Sequence, residues 1–248
     1  MDRLKKFFTD CICATENARI IMKKELKSYF VSPIAYIVIT LFLLITGTLF
    51  FMTFFLYDRA ELRGFFQILT LTFAIFIPAV TMKLFAEEKN SGSFEMLMTL
   101  PVSAADAAAG KILAATAFSA VMLAPTLVYP VSVFIVGSPD IGPIIGGYLG
   151  AILLGATYSS IGVFASSLTK NQITAFIIAF GACMFLWVID VFLPLLPAGV
   201  VDLFEYISVN AHFNSISKGV IDSRDLIYFA SVIALCFMGT VKSIEERR

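Results

Sequence analysis

Long apolar runs alternate with short polar connections along this chain. Six runs carry no charged residue: Pro33 to Leu56, Phe65 to Met82, Ile112 to Val136, Ile144 to Leu168, Ile173 to Ile189 and Leu226 to Val241. A helix rising about 1.5 Å per residue needs about 20 residues to cross about 30 Å of hydrocarbon, so each run reads as a span. The last is short, but Arg224 and Lys242 flank it, and long basic side chains reach the headgroups from a short helix. The pattern predicts an all-α, polytopic membrane protein with six transmembrane helices.

Between the runs the periodicity changes. Met22, Leu26, Tyr29, Phe30 and Pro33 fall at helical spacing on one face, and Lys23, Lys24 and Lys27 gather on another. This predicts an amphipathic helix on the membrane surface, its apolar face among the acyl chains and its lysines at anionic headgroups, turning into the first span near Ser32-Pro33. A plain basic anchor is the alternative reading of the same lysines. Pro125 and Pro130 predict a kink in the third run whose freed carbonyls face protein or a cavity. Gly147, Ala151, Gly155 and Ser159 form a small-residue stripe in the fourth run, suited to packing within one subunit or to a dimer seam. The long connection from Pro194 to Asp225 predicts one or two short re-entrant helices at the outer leaflet. The chain divides into an N-terminal segment (1–33), one membrane domain (34–241) and a tail (242–248).

Composition supports the bilayer. Of 248 residues, 59% are hydrophobic and only 15% charged, with 25 Phe, more apolar surface than a soluble core of ordinary composition encloses. The net charge of zero conceals an uneven distribution. Only Arg59, Arg63, Lys218 and Arg224 fall in connections opposite the amino terminus, and all other Lys and Arg fall on its own side. Both termini are therefore expected in the cytoplasm. Cys11 and Cys13 would then lie in a reducing compartment and Cys183 and Cys236 in the membrane, so no disulfide framework is implied. The first span is too long for a signal-peptide core and should persist.

Candidate chemistry is sparse. Asp190 reads as a wetted helix end, and His212, the one histidine, lacks companions at ligand spacing for zinc. The "GKI" at Gly110 has neither the hydroxyl residue nor the upstream glycine of a phosphate loop, so the chain is not expected to bind ATP itself. Mid-membrane charges of the kind that drive secondary carriers are missing from the spans.

The exception is the connection "FAEEKNSGSFEMLMTLPVS", Phe85 to Ser103. Ser93 is placed to cap a short helix whose Phe94, Leu97 and Met98 share a face, with Glu95 in its first turn and Pro101 ending it. Ser103 with Asp106 matches a capping box that opens the third span. A short helix joined stiffly to a span transmits a push into the membrane.

The string from Glu87, Glu88 and Lys89 through Gly92, Ser93, Glu95, Leu97, Met98 and Pro101 to Ser103 resembles the first cytoplasmic loop of ABC-2-type ABC transporter permeases. "KKELKSYFVSPIAYI" and "HFNSISKGVIDSRDLIYF" are similar to the gliding-motility-associated branch of that family. The resemblance implies a half-transporter in the bacterial cytoplasmic (inner) membrane. A second permease subunit, identical or not, would pair with it, and a separate ATP-binding subunit holding ATP and magnesium would drive it. No cofactor is implied for this chain, and no nucleic acid. It further implies that Glu87, Glu88, Gly92, Ser93, Phe94, Glu95, Leu97, Met98 and Pro101 contact the ATP-binding subunit. A structural anchor of an envelope assembly, or a secondary carrier, are the competing readings of a chain with these spans.

Overall fold

The computed structural model describes residues 2–57, 62–99, 102–137, 139–192, 198–220 and 222–246. No strand occurs among them, and six helices are long and apolar enough to cross a membrane. The protein is an all-α, polytopic membrane protein.

Helix α1 (Asp2–Val31) ends at Ser32, and α2 (Pro33–Tyr57) starts at the next residue. Proline serves there as a first helical residue, where its missing N–H costs nothing. The Ser32 N–H reaches back to the carbonyls of Ser28 and Tyr29, closing the last turn of α1. Helix α3 (Arg63–Thr81) runs on through Met82 into α4 (Lys83–Ser91), so the second apolar segment extends from Arg63 to Ser91, well past the expected end at Met82. Helix α5 (Ser93–Thr99) is the short element that follows.

The third span bends as the prolines demand. Helix α6 (Ala104–Leu123) passes into a 3-10 turn (Ala124–Leu127) and then α7 (Val128–Val136). The carbonyls at the bend find partners in protein: the Thr126 hydroxyl donates to Leu123 at 2.7 Å, and the Tyr148 hydroxyl donates to Thr126 at 2.8 Å. Buried rings fill the space beside the bend. Tyr129 stacks on Phe50 at 4.9 Å and meets Phe65 edge-on at 5.3 Å, pairs worth about 0.5–1.5 kcal/mol each beyond their area.

Helix α8 (Ile141–Leu168) is the central post, with 72% of its span enclosed against 22% for α9 (Gln172–Phe192). Its small-residue stripe packs within the chain: Gly147 lies under the Phe66 ring, Gly155 against the Ser119 hydroxyl, and Ala151 and Ser159 are fully buried. Close packing of this kind, which small residues permit, holds helices together where the solvent is itself apolar. The long fifth connection contains α10 (Ala198–Ile207) and α11 (Val209–Ser217), and α12 (Ser223–Glu245) closes the bundle. The N-terminal helix, the α4–α5 hairpin and the last turn of α12 gather at one end of the bundle, with α10 and α11 at the other.

Candidate functional site

The α4–α5 hairpin is built at the point where a membrane helix leaves the bundle. Gly92 ends α4 with φ at 76°, the left-handed conformation that closes a helix and that a Cβ disfavours. The chain then reverses into α5, and the Glu95 N–H bonds the Gly92 carbonyl at 3.3 Å. The expected cap at Ser93 takes a different form. Ser93 is the first residue of α5, and its hydroxyl lies 2.9 Å from that of Ser91 and 3.4 Å from the Glu88 carbonyl, which stiffens the turn. Ser103 and Asp106 form the expected capping box at the start of α6, with bonds of 3.0 and 3.1 Å.

Two lysines and a serine hold α4 to the bundle. The Ser166 hydroxyl of α8 accepts the N–H groups of Phe85 and Ala86 and donates to the Met82 carbonyl. Lys89 donates to the Ser167 carbonyl, which also accepts from the Ser243 hydroxyl of α12 at 3.0 Å. The Lys89 ammonium lies 5.2 Å from the centre of the Phe94 ring, a cation–π contact. On the other side Lys111, 1% exposed, meets Glu88 at 2.8 Å, Glu25 at 3.2 Å and the Leu84 carbonyl at 2.6 Å. A buried ammonium is tolerable only with such partners. The same contacts commit Lys111 of the "GKI" string to protein acceptors, so it is not free to hold a phosphate.

The hairpin thus presents two faces. Glu87, Asn90, Ser91, Gly92, Ser93, Glu95 and Thr99 are exposed, and Met96 stands out at 73%. Phe94 turns inward, 7% exposed, with its ring edge-on to Phe85 at 6.4 Å. Glu88 is turned inward as well, onto Lys111. Of the residues that the sequence assigns to an outer contact, Glu87, Gly92, Ser93 and Glu95 lie on the open face and Phe94 and Glu88 do not. The side chains of Leu97 and Met98, and Pro101 altogether, lie outside the described residues.

Helix α1 packs along α6. Gly110 makes this possible, because a Cβ there would stand 2.8 Å from the Ala18 carbonyl and from Ile21 Cβ. Lys23, Lys24 and Lys27 are exposed, as expected of a charged outer face. The apolar face departs from expectation. Tyr29 is 2% exposed, 5.0 Å from the Phe118 ring, and its hydroxyl donates to the Val80 carbonyl at 3.3 Å. Ala18 and Ile21 are buried too, and Phe30 lies half-buried beside Phe118. This face of the elbow meets protein, because α6 offers it a surface that lipid would otherwise fill. Burial, and after it the Glu25 carboxylate, pushes the Tyr29 phenol well above its ordinary value and keeps it a neutral donor.

At the opposite end His212 is enclosed. Its Nδ1 lies 2.7 Å from Asp225 Oδ1 and its Nε2 3.0 Å from the Tyr206 carbonyl, with the ring stacked on Tyr228 at 4.1 Å. Asp190, expected to be a wetted helix end, is half-buried and accepts from the Asn210 amide at 2.6 Å. Among the described residues no group of three or more His, Cys, Asp or Glu is arranged to hold a metal ion.

Sequence reasoning missed Lys111, Glu25, Lys89, Ser166 and Met96. Two faint signals existed: Lys111 interrupts an otherwise apolar helical stretch, and Glu25 is the single acid among Lys23, Lys24 and Lys27.

Six membrane-crossing helices around a central post, with a short hairpin fixed at one end, define a polytopic membrane subunit. A family model described as ABC-2 family transporter protein matches residues 43–237. The chain belongs to the ABC-2 transporter family. No curated protein matches it.

Proposed function

We propose that this chain is the permease subunit of an ABC-2-type transporter and that a separate ATP-binding subunit docks on the open face of the α4–α5 hairpin. The observation that carries the reading is the contrast between the hairpin's two faces. The inner face is clamped by Ser166, Lys89 and Lys111, and the outer face leaves Met96 73% exposed, with the acidic Glu87 and Glu95 exposed on the same hairpin. An exposed methionine on a hairpin that also exposes two carboxylates suits a partner with an apolar notch and basic side chains. ATP and magnesium belong to that partner, and the permease converts the partner's movement into rearrangement of its spans. The partner drives the switch only so far as its contacts differ between the two states of the membrane domain.

The distribution of Lys and Arg supports placing the hairpin and both termini in the cytoplasm, and the resemblance to bacterial ABC-2-type permeases supports the inner membrane as the site. Apolar flanks of α2 and α9, exposed at Leu44, Met52, Ile173, Ile177 and Phe185, leave room for a second permease subunit as well as lipid. The likeness of Lys23 to Ile37 and of His212 to Phe229 to motility-associated permeases supports a role in gliding. The test is co-expression with the ATP-binding subunit and reconstitution in vesicles. Glu95→Lys combined with Met96→Asp is expected to lower recovery of the complex about tenfold, a loss of about 1.4 kcal/mol. Unchanged recovery, with ATP turnover as in the wild type, refutes the docking site.

A further inference from the structure

We propose that Lys111 is a positioning residue that joins α1, α4 and α6 into one rigid unit, so that the N-terminal helix travels with the docking hairpin. The inference rests on the docking reading but concerns what lies behind the docking face.

The ammonium sits where three helices meet and each supplies something different. From α1 comes the Glu25 carboxylate at 3.2 Å; from α4 come the Glu88 carboxylate at 2.8 Å and the Leu84 carbonyl at 2.6 Å; α6 supplies the lysine itself. An ammonium has three N–H bonds, and three acceptors are present. Leu84 and Glu88 are four residues apart, so α4 grips the cation with one face. Glu25 and Tyr29 bear the same relation on α1, and Tyr29 fastens its turn to Val80 of α3 at 3.3 Å. The Phe85 ring covers the ammonium at 4.8 Å, and Gly110 brings the α1 and α6 backbones together one residue away.

The charges explain why the joint is firm. Two carboxylates share one buried cation: moving α4 alone takes Glu88 from its counter-charge, and moving α1 alone leaves Glu25 only the exposed Lys24 of its own helix, at 3.9 Å. Packed apolar contacts slide at small cost, but a buried charge does not leave its partner without being resolvated. A push on the hairpin is therefore delivered to α1 and to the third span together, and α1, with Lys23, Lys24 and Lys27 exposed along it, moves against the membrane surface.

Replacing Lys111 leaves Glu88 without its cation and Glu25 with only Lys24, and risks the fold, so the decisive variant is Glu25→Ala. It removes the arm to α1 and leaves Lys111 and Glu88 as a one-to-one pair. Spin labels at Arg19→Cys on α1 and Asn90→Cys on α4, both exposed, report the distance between the helices. The measurement uses the full chain with its native cysteines replaced, in vesicles, alone and with the ATP-binding subunit, before and after trapping with magnesium ATP and vanadate. The proposal predicts one narrow distance that trapping leaves unchanged. In Glu25→Ala the distribution is predicted to broaden in the chain alone and to shift on trapping. Glu88→Ala, which keeps the Glu25 pair, is predicted to loosen the same distance from the other side. A distance that already shifts in the wild type, or variants indistinguishable from it, overturns the proposal. If the ATP-binding subunit does not bind the wild-type chain, the docking reading fails, and the widths in the chain alone still decide the joint.

Discussion

Ser166 Oγ of α8 lies 3.0 Å from the backbone nitrogen of Phe85, 81 residues away in sequence. It caps from outside a helix that has no cap of its own, since Met82 precedes α4 without a side-chain bond. Unsatisfied N–H groups at a helix start normally find an oxygen nearby in sequence; here a neighbouring span provides it. The hydroxyl uses both lone pairs and its proton, on Phe85, Ala86 and Met82. Ser166→Ala is expected to destabilise the hairpin by about 1–3 kcal/mol, the cost of buried groups left unpaired. Amide exchange is expected to quicken at Phe85 and Ala86 and to stay unchanged at α11.

Gly92 holds φ at 76°. A side chain in that region costs about 1–2 kcal/mol, and asparagine tolerates it better than alanine. No atom lies within 4 Å of the missing Cβ, so any effect comes from the backbone alone. Gly92→Ala is expected to weaken capture of the ATP-binding subunit more than Gly92→Asn, with thermal stability of the membrane domain nearly unchanged. Equal capture by both variants counts against a role for this turn.

His212 ties three pieces of the far end together: Asp225 of α12, the Tyr206 carbonyl of α10 and the Tyr228 ring. His212→Ala leaves Asp225, 6% exposed, without its partner. The expected loss is about 1–3 kcal/mol, the cost of a buried acceptor left without its hydrogen-bond partner. A fall in thermal midpoint measured in detergent checks it, and Asp225→Asn should fall less, because an amide still bonds the ring.

Elements whose cause is local are legible from residue order. Pro33 marks the α1–α2 break, Pro125 and Pro130 mark the bend, and Ser103 with Asp106 marks the start of α6, because each acts within four residues of itself. Glu87, Gly92, Ser93 and Glu95 are exposed, as an outer contact requires. The inner face was not legible from residue order, because it depends on side chains distant in sequence. Lys111 meets Glu25 across 86 positions, Phe85 meets Ser166 across 81, and no periodicity encodes either. Phe94 illustrates the consequence. Read on the helix alone it belongs to the face of Leu97 and Met98, yet Phe85 and Lys89 on α4 give it an enclosed place that water or a partner would have to match. Tyr29 was misplaced into lipid for a similar reason, since a hydrophobic stripe does not say whether lipid or α6 will cover it.

The central claim is that the open face of α5 receives the ATP-binding subunit. Site-specific photocrosslinking in living cells tests it most directly, with the reactive group placed at Met96 and, as a control, at the exposed Ile227 of α12. The account predicts a product with the ATP-binding subunit from Met96 and none from Ile227. A Met96 probe that yields no such product, or yields it no better than Ile227, would contradict the account.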